Sequence, residues 1–389
     1  MSTLKERDQL YVANTYSRFP VDLVRGHGSL LYDADGKRYI DMGSGIGVTA
    51  FGICDEIWTA AVTEQLGKLQ HVSNLYYTEP CVSLAEKLCA LTGMKKVFFG
   101  NSGAEANECA IKVARKYAQD KYGMERYKII TLRNSFHGRT LTTLAATGQD
   151  VFHTRFLPLT EGFVHAVAND IESVKALLQA GDVAGILIEC IQGEGGVIPL
   201  EKEFVTEIAR LAAERDVLLM VDEVQTGNGR TGMPYAYMNY GITPDVISTA
   251  KGLGGGLPIG ACLIGEKAEY TLSYGDHGST FGGNPRAAAG AISIVDRLTP
   301  ETMQSVREKS QYIFDTLSGS KGVKSITGMG LMIGILTERP AKEVVAECLS
   351  RGVLCLTAKE KVRLLPALNI PSEVLSEAVN VIKSVCEGE

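Results

Sequence analysis

The sequence predicts an α/β protein: a large domain with a mostly parallel central sheet, joined by a smaller α+β domain built from the two chain ends. Three observations predict it. From about residue 95, short unbroken apolar runs alternate with amphipathic stretches, the signature of parallel strands buried on both faces by helices. After about residue 290 the pattern shifts to long helical stretches with short strands. The chain also has 389 residues, more than one core usually organises. The expected division is a segment 1–50 that joins the small domain, a large domain 51–290, and a small C-terminal domain 291–389.

Each element has a local reason. Ser29-Leu-Leu-Tyr32, Asp33-Ala-Asp-Gly36 and Arg38-Tyr-Ile-Asp41 read as strand, turn and strand, because Asp-x-Asp-Gly between β-rich runs is a hairpin signal. Helices are expected over 56–68 and 80–91. The apolar runs at 96–99, 128–132, 184–189, 217–222, 245–249 and 261–264 are the expected sheet strands, with helices at 103–119, 171–180 and 203–215 between them. A long helix near 285–317, strands at 330–335 and 362–365, and a last helix at 372–386 complete the chain. No internal repeat or low-complexity linker interrupts it.

Composition narrows the function classes. The net charge of −6 argues against a nucleic-acid partner, which calls for a basic face. No stretch reaches the ~18 apolar residues of a membrane helix. The first twenty residues carry Glu6 and Asp8 and no apolar run, unlike a targeting segment. The nine cysteines are odd in number, with no Cys-x-x-Cys pair. They read as buried free thiols in a reducing compartment, so a cytoplasmic protein without a metal site is expected.

In an open α/β sheet, ligands bind outside the carboxyl ends of the strands. Asp222 ends one apolar run in Val221-Asp-Glu-Val-Gln-Thr-Gly227, and Lys251 ends the next in Ser248-Thr-Ala-Lys-Gly-Leu-Gly-Gly-Gly-Leu-Pro258. Either could be an ordinary turn or surface residue. Together they are an amine that desolvation can neutralise into a nucleophile and an acid that can keep a pyridinium nitrogen protonated. Those are the two groups that pyridoxal 5′-phosphate asks of a protein. Gly100-Asn-Ser-Gly-Ala-Glu-Ala-Asn107 opens a helix whose free amides suit a phosphate, and Ser102 with Glu105 also reads as a plain helix cap. In Asn134-Ser-Phe-His-Gly-Arg139, Phe136 could stack on a flat ring and Arg139 could grip a carboxylate; otherwise they are a core aromatic and a surface charge. His277-Gly-Ser-Thr-Phe-Gly-Gly-Asn-Pro285 offers another phosphate contact. Gly227-Asn-Gly-Arg-Thr-Gly232 matches G-x-G-x-x-G, but Met233-Pro-Tyr follows where a dinucleotide site needs a helix.

In this order and spacing the motifs resemble the class III (subgroup II) pyridoxal-phosphate-dependent aminotransferases. The resemblance runs from about Tyr11 to the C-terminus. It is carried also by Asn14-Thr-Tyr-Ser-Arg-Phe-Pro20, Ser73-Asn-Leu-Tyr-Tyr77, Gln192-Gly-Glu-Gly-Gly-Val197 and Val362-Arg-Leu-Leu-Pro366. It implies fold type I and a homodimer with active sites at the subunit interface. It implies Lys251 as the Schiff-base lysine, Asp222 at the pyridine nitrogen, Val224 under the ring, Gln225 near the phenolic oxygen and Phe136 over the other face, with Glu223 in the same cofactor-binding run. Ser102, Gly103 and Ala104 would bind the phosphate, with Thr280 reaching in from the partner subunit. Arg139 would hold a substrate carboxylate and Ser279 would lie beside the substrate. Glu194 would face Arg363, closing for one substrate and opening for glutamate; a static ion pair is the alternative.

The implied reaction moves the terminal amino group of N2-acetyl-L-ornithine to 2-oxoglutarate. Succinylornithine, ornithine and 4-aminobutyrate are the other donors, and a non-catalytic cofactor-binding protein or a nicotinamide oxidoreductase are readings from other classes. The chain departs from the family pattern at three places. Phe51-Gly-Ile-Cys-Asp-Glu56 replaces a Gly-His-x-x-Pro-like stretch, Met329 stands where arginine is more common, and Thr357-Ala-Lys-Glu360 replaces Thr-Ala-Gly.

Overall fold

The structure is a computed structural model that describes residues 3–388. Its centre is a seven-stranded sheet, whose strands are numbered here in chain order: β1 (Lys96–Gly100), β2 (Lys128–Leu132), β3 (Phe163–Ala166), β4 (Val183–Ile188), β5 (Leu218–Asp222), β6 (Val246–Thr249) and β7 (Gly260–Ile264). The spatial order is β1-β7-β6-β5-β4-β2-β3. Six strands run the same way, and β7 lies antiparallel between β1 and β6. Successive side chains point to opposite faces. Ile130, Ile186 and Val221 enter one core with Leu84 and Phe204, while Ile129, Leu187 and Met220 enter another with Ile111. Burial on both sides is why these strands are written without polar alternation.

The chain ends meet in a third core. A hairpin, Leu23–His27 with Leu30–Asp33, continues into Arg38–Asp41, which pairs in parallel with Val353–Leu354. An antiparallel sheet of Val323–Met329, Met332–Thr337, Lys361–Leu364 and Leu356–Ala358 stands beside it. Ile40, Val306, Ile335, Val362 and Ile382 share that core. The expected turn at 33–36 forms: Asp33 Oδ1 accepts from the amides of Asp35 and Lys37, and Gly36 takes φ 84°.

The structure differs from the sequence reading in several elements. The single helix expected over 285–317 is two, Pro285–Val295 and Pro300–Leu317. Thr299 caps the second and Pro300 opens it, because proline lacks the amide that would continue the first. The strand expected at 330–335 is Met332–Thr337, since Gly330 (φ 57°) turns the chain back from Val323–Met329. β3 was not expected; its polar His165 breaks the apolar run. Cysteine burial is uneven: Cys54 is exposed and Cys81 and Cys89 are half-buried, while the other six are buried.

Two puzzling motifs become structural. Asp55, in the altered 51–56 stretch, caps the helix Glu56–Leu66 and pairs with Arg297. The G-x-G-x-x-G segment forms turns without a helix behind it. Arg230 within it is buried and donates to the carbonyls of Leu331 and Pro366, tying the large sheet's loops to the C-terminal sheet. Burial pushes its guanidinium down to about 10, opposed by Asp41.

Candidate active site

Asp222, Glu189 and Lys251 follow from strand ends, and Ser102 and Phe136 from the loops after β1 and β2. They converge on one cavity of about 340 Å³, within the range of small-molecule sites. Asp222 is buried at its floor. Its Oδ2 accepts from Asn107 Nδ2 (2.7 Å) and faces His137 Nδ1 (2.8 Å), and its Oδ1 accepts from the Val224 amide (3.0 Å). Asn107 is held in turn by Ser248, which donates to its Oδ1 at 2.5 Å. The carboxylate is thus fixed by donors from a helix, a loop and its own turn, each orienting it toward the cavity.

The helix Gly103–Tyr122 points its start at the same space. Ser102 caps it, accepting from the Glu105 amide. The Glu105 carboxylate reaches back to the amide of Asn101, one residue earlier than a capping box would place it. The amides of Gly103 and Ala104 have no protein acceptor among the described residues. A Cβ at Gly103 would sit 2.6 Å from Val224 Cγ1, so the two segments touch there only because the residue is glycine.

Lys251 lines this cavity and, with Phe136 and Glu194, a second of about 470 Å³ that leads outward past Ile46, Arg139, Phe152 and Lys359. Burial pushes its amine below the ordinary lysine value; Glu194 and Asp222 oppose this and Arg363 adds to it. Lys251 has φ 46°, a left-handed conformation that a non-glycine residue holds only when its surroundings enforce it.

Glu194 and Arg363 form an ion pair, Oε1 to Nη1 at 2.6 Å, with Arg363 3% exposed and Glu194 33% exposed. Gln225 bridges them, donating to Glu194 Oε1 and accepting from Arg363 Nη1, both at 3.2 Å. Burial alone would raise the Glu194 carboxyl, but Arg363, Lys251 and Gln225 hold it below its ordinary value. Arg139 is exposed, has no carboxylate partner among the described residues, and stands 4.8 Å from the Phe152 ring centroid and 5.8 Å from that of Phe136.

Not every expected residue arrives. Glu223 turns the other way along the chain from Asp222, and its carboxylate accepts from Thr226 Oγ1 and the Tyr237 amide in the protein interior. Burial pushes it up to about 7. Its side chain does not line the cavity. Ser279 is held by Asn101 and Gly282 beside the cavity wall, and Thr280 is exposed outside its own chain's cavity. The sequence reading missed Asn107, His137 and Glu189. Glu189 is buried against the site, accepting from the Phe136 amide (2.9 Å) and the Gly193 amide (3.2 Å). Burial and nearby Asp222 push it up to about 7 against the pull of His137 and these two amides. Buried polar residues on otherwise apolar elements were the available signal.

The family model for class-III aminotransferases matches residues 11–386. This chain belongs to that family. It is 49% identical to an acetylornithine aminotransferase of Haemophilus ducreyi over 98% of both chains. Among solved structures, it resembles an N-acetylornithine aminotransferase from Stenotrophomonas maltophilia (34% identity, TM-score 0.86, 98% of each chain). It also resembles an ornithine aminotransferase from Toxoplasma gondii whose active site holds the cofactor at partial occupancy (28% identity, TM-score 0.94, 99% of this chain and 94% of that one). The protein is a pyridoxal 5′-phosphate-dependent aminotransferase of fold type I.

The residues present fit that cofactor. Two unsatisfied amides at a helix start suit a dianionic phosphate. An anchored carboxylate suits a ring nitrogen that must keep its proton, and an amine with a lowered proton affinity suits covalent linkage. Phe136 and Val224 line the space between these two ends.

Proposed function

We propose that this aminotransferase moves the δ-amino group of N2-acetyl-L-ornithine to 2-oxoglutarate, giving N-acetyl-L-glutamate 5-semialdehyde and L-glutamate in arginine biosynthesis. The observation that carries the donor is the 49% identity, over 98% of both chains, to a relative named for it. Ornithine is the second reading, favoured by the backbone likeness to the Toxoplasma gondii enzyme.

When bound, the cofactor supplies an aldehyde carbon for amines and a protonated ring that withdraws electrons from the donor carbon. Lys251 would hold the cofactor covalently, and its Nζ would serve as the base for the proton on the donor's δ-carbon; burial lowers the amine's proton affinity, which favours that role. Asp222 holds the proton on the ring nitrogen, with Asn107 and His137 holding Asp222. Ser102, Gly103 and Ala104 bind the phosphate. Phe136 and Val224 would confine the ring, and Gln225, which bridges Glu194 and Arg363, would face its phenolic oxygen. Arg139, solvent-facing and without a carboxylate partner among the described residues, would bind the donor's α-carboxylate.

Glutamate presents a second problem, because its α-carboxylate lies next to the reacting amine. Arg363 takes that carboxylate when Glu194 swings away. With the terminal-amine donor, Glu194 closes again and cancels a cation that would otherwise be buried alone, a costly state.

The working unit is a homodimer. The loop carrying Leu75, Tyr76 and Tyr77 packs against 279–282 through Asn74 and, with Tyr270, Tyr274 and Phe281, exposes a large apolar surface. Such a surface suits an interface, and Thr280 within it would complete the partner's phosphate site. The core that joins Ile40 and Met42 to residues 294–386, apart from the two cores on the faces of the central sheet, supports a small domain built from both chain ends, and nine unpaired cysteines support a cytoplasmic setting. Comparing kcat/KM for acetylornithine, ornithine and 4-aminobutyrate tests the donor. A tenfold preference for either of the latter, about 1.4 kcal/mol, would overturn it.

A further inference from the structure

Glu189 has no role in the chemistry above, although its side chain is buried in the wall of the cofactor cavity. It follows β4, the strand between those that lead to Asp222 and to the Phe136 loop. It is 6% exposed and lines the cavity. A carboxylate in such a place is costly unless it is paired. Glu189 makes no ion pair among the described residues, and nearby His137 faces Asp222 instead.

Its two oxygens hold backbone from two different loops. Oε2 accepts from the Phe136 amide at 2.9 Å and Oε1 from the Gly193 amide at 3.2 Å. Phe136 lines the cavity, and Gly193 is the residue before Glu194. Two amides that converge on one side chain need two acceptor oxygens. A carboxylate offers both, whereas a glutamine of the same shape has one and would set its NH2 against the other N–H. The loops also meet elsewhere. Gln192 Nε2 donates to the Arg133 carbonyl at 2.8 Å, and a Cβ at Gly195 would lie 2.6 Å from the Asn134 carbonyl oxygen. Gly193 itself presses on the glutamine that bridges Glu194 and Arg363, since a Cβ there would lie 2.4 Å from Gln225 Oε1.

We infer that Glu189 is a positioning residue: it clamps the Phe136 loop to the loop that carries Glu194, and so sets how Glu194 closes on Arg363 relative to the cofactor. The inference rests on the proposed function, in which Glu194 closes for the terminal-amine donor and swings away for glutamate. Gly193 is the last anchored amide before Glu194. Releasing it lets Glu194 drift from Arg363 in the closed state, which the donor needs, and leaves the open state, which glutamate needs, as it was. Releasing the Phe136 amide loosens the wall beside the cofactor.

The test combines single turnovers of the cofactor-loaded enzyme, with N2-acetyl-L-ornithine alone and with glutamate alone, and titration of the apo-protein with pyridoxal 5′-phosphate. It compares wild type, Glu189→Gln, Glu189→Asp, Glu194→Gln and the double variant Glu189→Gln with Glu194→Gln. At about pH 8.5 the wild-type Glu189 carboxyl, raised to about 7 by burial, is ionised. Glutamine keeps the shape and gives up one acceptor. Aspartate keeps the charge and both acceptors but draws them back by one methylene. Each single change at 189 is expected to slow the acetylornithine half-reaction about tenfold, to leave the glutamate half-reaction within about threefold, and to raise the apparent Kd for the cofactor by about threefold or more. Glu189→Gln added to Glu194→Gln should slow the acetylornithine half-reaction no further, because both act through one closure. Wild-type behaviour of either single variant at 189, equal losses in both half-reactions, or fully multiplied losses in the double variant overturn the inference. The proposed function then stands as long as Glu194→Gln separates the two halves. If Glu194→Gln slows both halves equally, the switch and the inference fall together.

Discussion

Glu194→Gln separates the two half-reactions if the pair with Arg363 is a switch. The substitution keeps the shape and removes the charge. The bond lost is charged, 2.6 Å long, and set against an arginine only 3% exposed. Hydrogen bonds to charged groups contribute about 1.5–3 kcal/mol. Glu194 is one-third exposed, which places the loss near the lower end. In the donor half-reaction Arg363 then stays uncancelled beside a substrate that has no carboxylate for it, and the rate falls about tenfold. In the glutamate half-reaction Arg363 is already free, and the rate holds or rises. Single-turnover kinetics with acetylornithine alone and with glutamate alone measure the two separately. The ratio of kcat/KM for glutamate to that for acetylornithine is expected to rise tenfold or more. Equal losses in both halves would mean a static structural pair, and the switch would be refuted.

Two further outcomes are expected. In Gly103→Ala the new methyl would lie 2.6 Å from Val224 Cγ1, and overpacking of about 1–3 kcal/mol should appear as a weaker apparent Kd for the cofactor, read by titrating the apo-protein; unaltered affinity would remove Gly103 from the phosphate cradle. Glu223 has its carboxyl raised from 4.5 to about 7 by burial, so the folded state binds the extra proton between those values. Its contribution is present below about pH 4.5 and is lost as pH rises through 7, roughly 3 kcal/mol in all. Glu223→Gln should flatten the fall of Tm across that window, and identical pH profiles for variant and wild type would refute this.

The parts of the site that were legible in sequence sit where one strand ends. Asp222 closes an unbroken apolar run and Lys251 follows the next strand, Val246–Thr249, so the strand pattern placed both at the ligand-binding edge. The helix start at Gly103 was legible because capping chemistry is local. Asn107, His137 and Glu189 were not, because their partners lie on different elements: Asn107 meets Asp222 across 115 residues and Glu189 meets Phe136 across 53. The inward turn of the Glu223 side chain was not legible for a related reason, since adjacent residues past a strand end can face opposite ways and only packing decides which. The break before Pro300 was written in the sequence as Thr-Pro, a cap followed by a helix start, yet the amphipathic pattern runs through it. Lys359 showed itself only as a departure from a pattern; its left-handed backbone and its place on the cavity wall needed the fold.

The central claim is that Lys251 carries the cofactor and the proton transfer. It is tested by the visible absorption of the purified protein. The wild-type band should bleach on adding N2-acetyl-L-ornithine and return with 2-oxoglutarate, and Lys251→Ala should lose both the covalent link and the cycle. A Lys251→Ala protein that still cycles between the two substrates at the wild-type rate would contradict the account.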